Sequence, residues 1–475
     1  MRLTRTALAL TTALLAPAAG LIAVAPAARG QTLQEALAQA YANNPTLLAA
    51  RAQLRIVDEN VPQALAGWRP TVSIASSIGW TDSQVRQRGA GVRETDRTIG
   101  SNQFTINQPV FRGGATIAAT RRAENQVLAQ RARLFATEQQ VLQESVNAYV
   151  AVIRDQELLR LNINNEQVLT EQLRATNERF RVGEITRTDV AQAESRLAGA
   201  RSNRAQSEGD LQIRRATFRR LIGIAPLRLT APQPLRPPVG SAVEAAQLAA
   251  ANNPGVVAAL FDEASARDAV DQQIAQLLPQ LSLQGQAFRN DNSAQTGTRL
   301  TGTQATVSLT VPIYQGGAEY SAVRQARQTA VQARSVVDDQ RRVVTQQATQ
   351  AWEQLQASRA QVEAVRAQIR AAEIALDGVQ REAIVGSRTT LDVLNAEQEL
   401  LNARTNLVQA LATVVSQSYV LAAAIGRLTA QDLGLPVEIY DMRAYYIQVR
   451  NRWLGLGDYS QQAAAAEALM VREGR

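Results

Sequence analysis

Two short stretches can organise polar chemistry: Thr186-Arg187-Thr188-Asp189 and Thr389-Thr390-Leu391-Asp392. Thr-x-x-Asp is capping-box spacing. The hydroxyl accepts from the amide three residues on, the carboxylate accepts from the threonine amide, and a helix begins. Each motif follows a Val-Gly pair, Val182-Gly183 or Val385-Gly386. Glycine reaches the left-handed backbone without steric cost and so ends a helix well. Together the signals predict two helical hairpins, each with an acid, Asp189 or Asp392, at its turn. Little else in the chain could do chemistry. It has no His and no Cys, which removes the common zinc ligands, thiol nucleophiles, disulfides and the imidazole acid and base. The remaining Ser, Asp and Glu are scattered over helical faces. Neither an enzyme nor a cofactor is expected.

The elements that carry these turns are written twice. Pro109-Val110-Phe111-Arg112-Gly113-Gly114 returns as Pro312-Ile313-Tyr314-Gln315-Gly316-Gly317. From Pro109 to Pro312, from Gly183 to Gly386 and from Gly223 to Gly426 the separation is the same 203 residues. Asn43-Asn44-Pro45 returns as Asn252-Asn253-Pro254, a few residues further apart. A constant offset over this length means two copies of one structural unit.

Each copy opens with a short helix, then Asn44 or Asn253 as N-cap and Pro45 or Pro254 in the first helical position. The next helix runs to about Ala66 or Leu277, with a kink from Pro62. The period then changes to two. Val72, Ile74, Ile78 and Trp80 alternate with small polar residues, as do Phe104, Ile106 and Val110, then Leu281 and Leu283, then Val307, Leu309, Val311 and Ile313. The predicted strands are about 70–80, 102–111, 279–289 and 303–314, with 81–100 and 290–302 as exposed polar loops. This alternation fits a membrane barrel and equally a soluble sheet with one wet face. Trp68, Trp80, Phe104, Phe111, Phe288 and Tyr314 near the strand ends suit interfacial aromatics. Gly113-Gly114 and Gly316-Gly317 join strand to helix.

Segments 115–182 and 318–385 hold a single glycine, Gly378, and no proline. Helices of that length span ~100 Å. In the second, Ala348, Leu355, Val362, Ile369, Leu376 and Ala383 alternate by heptad with Val337, Val344, Ala351, Ser358, Val365, Ala372 and Val379, a coiled-coil seam. The return helices end near Gly223 and Gly426 and are too short to match. Stacked end to end with the helix after Asn-Asn-Pro, they reach ~87 Å.

The domain reading is a signal peptide over 1–30, repeat one over 31–224 with its hairpin at 115–223, a Pro-rich linker over 225–240, repeat two over 241–428 with its hairpin at 318–426, and a tail over 429–475 packed around the middle of the rod. The signal rests on Arg2 and Arg5, the apolar run from Ala7 to Leu15 and the small residues around Ala25-Pro26-Ala27. Beyond it no run of about 18 apolar residues appears, and no membrane-spanning helix is expected. The net charge of +8 is modest for 475 residues and all from dispersed arginines, which reads as a solvated surface and not a nucleic-acid face.

Four strands cannot close a barrel, and an open edge in lipid leaves backbone groups unpaired. Several chains must therefore share one: two copies make eight strands, three make twelve. Here the chain resembles the TolC family of outer-membrane efflux and secretion channels, through Leu309-Thr310-Val311-Pro312-Ile313-Tyr314-Gln315-Gly316-Gly317 and Val385-Gly386-Ser387-Arg388-Thr389-Thr390-Leu391-Asp392-Val393-Leu394. The resemblance runs from about Thr32 to Leu435. It implies an α+β membrane protein: a homotrimer sharing a twelve-stranded barrel in outer-membrane lipid, continued by a helical tunnel. It also implies a periplasmic adaptor, an inner-membrane transporter, and drugs or secreted proteins as cargo. By the same resemblance Asp392 matches an acid lining a periplasmic gate, Arg388 and Asp189 match a pair linking the tips, and a second lining acid is replaced by Asn395. The competing expectation is a periplasmic coiled-coil adaptor or scaffold.

Overall fold

The computed structural model describes residues 30–89 and 91–456. The expected signal peptide, Gly30 excepted, and the end of the tail from residue 457 lie outside the described residues. Along the chain run α1 (Leu33–Asn43), α2 (Pro45–Asp58), α3 (Asn60–Leu65), β1 (Thr71–Gln87), β2 (Gly91–Arg112), α4 (Ala115–Arg181), α5 (Arg187–Ile222), α6 (Ala242–Asn252), α7 (Pro254–Ile274), β3 (Gln280–Asp291), β4 (Arg299–Thr310), α8 (Ala318–Ile384), α9 (Thr390–Ala424) and α10 (Ala444–Val449).

The two long helices, α4 and α8, have 67 residues each and start from left-handed glycines, Gly114 at φ 87° and Gly317 at φ 83°. With no proline to interrupt the hydrogen-bond ladder, each extends ~100 Å. Their neighbours are shorter. α5 and α9 cover the stretch nearest the turns, while α2 and α7 cover the stretch nearest the sheet. α4 also meets α7 and α9, so the two hairpins lie side by side. The seam residues of α8 are buried from Val337 to Ala372. Towards the turn Ile369, Leu376, Val379 and Ala383 are only half-buried, and the packing loosens.

Asparagine splices the short helices. Asn44 Oδ1 accepts from the Thr46 amide, capping α2, while its Nδ2 donates to the Leu221 carbonyl at the end of α5, 2.9 Å away. Asn253 repeats the pattern, accepting from the Gly255 amide and donating to the Ala424 carbonyl of α9 at 3.1 Å. One side chain thus satisfies a donor at one helix start and an acceptor at another helix end, groups that no intrahelical bond can reach. The end-to-end stacks expected from helix lengths are therefore real joints.

The main core surrounds this splice. Leu37, Leu47, Leu54, Leu142, Tyr149, Phe218 and Ile222 are buried together. The Tyr149 hydroxyl lies between the carbonyls of Gln31 and Thr230 and accepts from the Thr230 amide at 3.1 Å, fixing the linker against α4. α9 is long and apolar enough, by length and composition, to cross a membrane. The segment 408–425 is the nearest approach to an apolar run beyond the expected signal, interrupted by Gln409, Thr413, Ser416, Gln417 and Ser418. Its Ala410, Val414, Tyr419, Leu421 and Ala422 are buried.

The sheet is antiparallel in the order β1-β2-β3-β4. Register puts Val72 opposite Ile106, Ile74 opposite Phe104, Leu281 opposite Leu309 and Leu283 opposite Val307. These residues share one face, which nothing among the described residues covers: Ile74 and Ile78 are 78% and 81% exposed. The other face carries Ser73, Gln103, Thr105, Gln284, Gln286, Gln304 and Thr306. Phe288, expected among the outward aromatics, pairs with Gly302 on this polar face. A Cβ on Gly302 would stand 2.7 Å from the Phe288 ring.

Several boundaries differ from the sequence reading. The stretch 81–100, expected as a loop, continues β1 and β2 as a two-stranded ribbon that turns at Gly89, φ 93°. Polar side chains on both faces hide the alternation, but backbone pairing needs none. Gln84 donates to Glu94 at 2.5 Å and Trp80 Nε1 donates to Asp96 across the ribbon. The fourth strand ends at Thr310, not 314. Its partner β3 starts opposite at Gln280, and Pro312 has no N–H to pair. The break after α2 falls at Glu59, one turn before Pro62, which lacks the N–H that would bond the Asp58 carbonyl. The tail does not stay at mid-rod. It starts where the Ala430 amide donates to Glu138 and climbs to Arg69, whose guanidinium donates to the Arg452 carbonyl beside the sheet.

Asn44→Ala is expected to lower stability by ~2 kcal/mol, since two buried bonds go. Asn44→Asp keeps the cap acceptor but loses the donor and should fall between. Thermal unfolding by circular dichroism measures both. A second expectation concerns Asp58, 1% exposed with neither carboxylate oxygen hydrogen-bonded. Burial, opposed by the Arg131 charge, pushes its pKa up to about 6. The raised value means this site favours the folded state below the unfolded pKa and loses that contribution, about 3 kcal/mol, as pH rises through about 6. Asp58→Asn should therefore raise the melting temperature at pH 7.5 and change it little near pH 4.

Candidate functional site

Both turns are built alike. After α4 the Gly183 amide donates to the Phe180 carbonyl and the Glu184 amide to Arg179, each at 3.0 Å. After α8 the Gly386 amide donates to Ala383 at 3.2 Å and the Ser387 amide to Glu382 at 3.0 Å. Gly183 (φ 79°) and Gly386 (φ 80°) make these reversals possible. The next helices open on the expected capping boxes. Thr186 and Asp189 exchange bonds of 3.0 and 3.4 Å, Thr389 and Asp392 of 2.9 and 3.2 Å. The Thr389 hydroxyl also lies 2.8 Å from Asp392 Oδ2.

Capping shapes the electrostatics. The Thr389 amide, then its hydroxyl and the Arg388 charge, hold the Asp392 carboxyl below the usual aspartate range. All the capping bonds fall on Oδ2. Asp392 is therefore both a cap and a fixed negative charge, close to an exposed turn. Arg388 does not reach Asp189 within the chain. Its Nε donates to Glu382 Oε2 at 2.8 Å, across the turn of its own hairpin. Arg179 is likewise held by Glu184. Each ion pair closes a turn, and the expected link between tips through Arg388 and Asp189 is not formed within one protomer.

A different pair spans the hairpins. Arg196 on α5 donates from Nη2 to Asn395 Oδ1 on α9 at 2.9 Å. Beside it Leu169, Leu197, Ala200 and Leu394 are buried in one cluster shared by both hairpins. The sequence names Asn395 as a tip residue but gives no sign of Arg196, because lateral register between separate helices leaves no spacing signal. Glu397, one turn beyond Leu394, is pushed up by burial and steadied by Gln380.

At the other end, Pro109 sits at a bulge where the register of β2 on β3 slips between Pro109 and Phe111. Gly113 follows at φ 61°, and a Cβ there would lie 2.4 Å from the Ala275 carbonyl oxygen. Gly316 and Gly317 take the same left-handed backbone in open space, after Pro312. Among the described residues no group of three or more acidic side chains gathers to hold a metal.

Long paired helices are closed by polar turns at one end and open into a sheet with one bare apolar face at the other. The family described as outer membrane efflux protein matches residues 36–224 and 245–427, and the chain belongs to that family. It is 38% identical over 438 residues to outer membrane efflux protein BepC of Brucella suis, covering 92% of this chain and 94% of the relative. It is 25% identical over 412 residues to outer membrane protein TolC of Vibrio cholerae, covering 85% and 92%. Among solved structures, the CmeC outer membrane channel of Campylobacter jejuni superposes with a TM-score of 0.74 at 15% identity, covering 88% of this chain and 89% of that one. The fold is shared with that channel.

Proposed function

We propose that three copies of this chain form an outer-membrane exit duct, fed by an inner-membrane transporter through a periplasmic adaptor and closed by the helix turns around Asp392. One observation carries the reading: a four-stranded sheet with an uncovered apolar face and two open edges, on β1 and β4. From Val72 to Trp80 that face runs ~26 Å along the strand at ~3.3 Å per residue, or ~20 Å of height at a barrel tilt of ~40°, most of the ~25 Å apolar band of an outer-membrane barrel. Open edges in lipid leave each unpaired backbone group several kcal/mol short. Pairing β4 of one copy with β1 of the next removes them, and three copies give twelve strands round a wide lumen. Ser, Thr, Gln and Asn on the opposite face suit water. A soluble adaptor would have no use for the bare face.

In the trimer three Asp392 carboxylates would ring the narrow end. With no second acid at Asn395, they form a single ring of negative charge that favours cations. The cargo, drugs or secreted proteins, is set by the transporter that feeds the duct.

Detergent-extracted protein is expected to run at three times the subunit mass of 51.4 kDa less any cleaved signal; a stable single-subunit mass by light scattering would end the proposal. In planar bilayers Asp392→Asn and Asp392→Ala should both lower the cation-to-anion permeability ratio. Asparagine retains a capping acceptor, so a loss seen only with alanine would assign Asp392 to capping alone. The depressed pKa keeps the charge as pH falls through ~4, where an ordinary aspartate is half protonated. Cation preference should survive there and vanish only at lower pH.

A further inference from the structure

We propose that the tail segment Trp453-Leu454-Gly455-Leu456 dips into the phospholipid leaflet at the rod end of the sheet. Each protomer is then held to the membrane by its tail as well as by its strands. The inference rests on the barrel reading above, which puts the apolar face of the sheet in lipid, and adds a second contact with the same membrane that no strand makes.

Three observations converge. First, the level is right. Arg69 stands two residues before β1, donates from Nη1 to the Arg452 carbonyl at 2.5 Å and lies over the Trp453 ring, 5.1 Å from its centre. The apolar face of β1 opens at Val72, so Trp453 sits at the rod-side rim of that face. Second, the side is right. Gln108 is in register with Leu283 on the apolar face. Its side-chain amide donates to the Trp68 carbonyl at 2.9 Å. The turn that holds the tail is thus itself tied to the lipid-side register of β2. Third, the residues are right. Trp453 is 65% exposed, Leu454 88%, and Leu456 is fully exposed. A lone exposed apolar residue is ordinary, but three among four successive residues form a patch that calls for a partner.

The chemistry selects lipid as that partner. An indole settles at the boundary between headgroups and hydrocarbon, and leucines beside it gain from the acyl region. The approach to the segment is cationic. From Met442 to Gly457 the chain carries Arg443, Arg450 and Arg452 and no Asp or Glu. Arg450 is paired with Glu124, which fastens the tail to α4 just before the apolar run. Positive charge at this level suits a surface of anionic phospholipid. Pairing of β1 with the next copy proceeds edge to edge in the plane of the sheet, and so leaves the rim of the face open to lipid.

The chain has no cysteine, so single spin labels can be placed in the full-length protein. Leu454→Cys and Leu456→Cys report on the tail. Ile78→Cys on the apolar face is the lipid reference, and Val385→Cys at the exposed turn is the water reference. Each labelled protein is reconstituted in vesicles of phosphatidylethanolamine and phosphatidylglycerol. Collisions are then compared with oxygen, which concentrates in hydrocarbon, and with a water-soluble nickel chelate. The tail labels are expected to meet oxygen several-fold more readily than the chelate, as at Ile78, with the reverse at Val385. Tail labels that behave like Val385 would overturn the proposal. So would labels shielded from both reagents, because protein, either a second copy or another part of the chain, would then cover the segment. A readout without labels uses vesicles of brominated phospholipid. Trp453→Phe should reduce the tryptophan emission that bromine quenches, and an unchanged quenchable fraction would count against insertion. If the Ile78 label itself prefers the chelate, the barrel reading falls and the tail contact with it, a result distinct from a lipid-facing sheet with a tail in water.

Discussion

A helix of 67 residues must be covered along its whole length, and the rest of the molecule answers to that demand. An exposed α4 or α8 would leave its apolar stripe in water, and a single helix of this kind gains most of its stability from packing. No return helix in the chain is long enough: α5 has 36 residues and α9 has 35. The shortfall is made up by α2 and α7, set end to end with the return helices, and the cost of two helix ends meeting in a core is met by Asn44 and Asn253. An unspliced junction would bury free carbonyls of one helix against free amides of the next. Asparagine is the residue that offers both an acceptor and a donor from one short side chain. Proline straight after it, Pro45 or Pro254, adds no further amide to satisfy.

The same length couples two environments. At one end of the rods lies a sheet whose apolar face has no partner among the described residues, and at the other lie turns made of Thr, Asp, Glu and Arg. The joints between them are short. Gly113 is packed so closely on the helical turn that follows α7 that any side chain would displace the Ala275 carbonyl. The direction of α4 relative to the strands is therefore determined by backbone contact. The tail reinforces this end of the rod. Arg51 stacks on both Tyr41 and Tyr440, Tyr445 donates to Glu59, and Arg450 pairs with Glu124. Towards the tips the heptad residues of α8 are half-buried, and the bracing between hairpins narrows to the Leu169, Leu197, Ala200 and Leu394 cluster with the Arg196–Asn395 bond.

Much of this was legible in the sequence, and the parts that were not share a physical cause. The turns could be read because Val-Gly followed by Thr-x-x-Asp states its hydrogen bonds within eight residues. The splice could be anticipated from the Asn-Asn-Pro landmarks and the mismatch in helix length. Strand faces followed from alternation at Ile74, Ile106, Leu283 and Val307. The ribbon from Thr81 to Gly100 was hidden because both of its faces are polar, so its alternation vanishes although its backbone pairing does not. Phe288 was misplaced because an aromatic near a strand end looks alike on either face until the register with Gly302 is known. The end of β4 was overrun because Ile313 continues the alternation after Pro312 has ended the pairing. Asn395 was named as a tip residue, but its contact with Arg196 left no trace, since their meeting depends on how two separate helices slide against one another.

At the tips, the cap formed by Asp392 and the gate proposed for it draw on one carboxylate without conflict. A cap needs Asp392 to accept from the Thr389 amide, and a cation-selective constriction needs it to stay charged. The first requirement enforces the second, because a proton on the carboxylate would weaken the bonds that start α9. Coupling runs the other way as well: neutralising the acid would loosen the first turn of α9, which carries Leu394 and Asn395 into contact with the neighbouring hairpin. Charge at the mouth, order in the first turn and grip between hairpins therefore form one linked set, with Thr389 and Asp392 at its base and the Arg196 contact at its edge. That linkage explains why a turn with no catalytic chemistry carries such closely specified polar residues: each bond in it supports the geometry of the next.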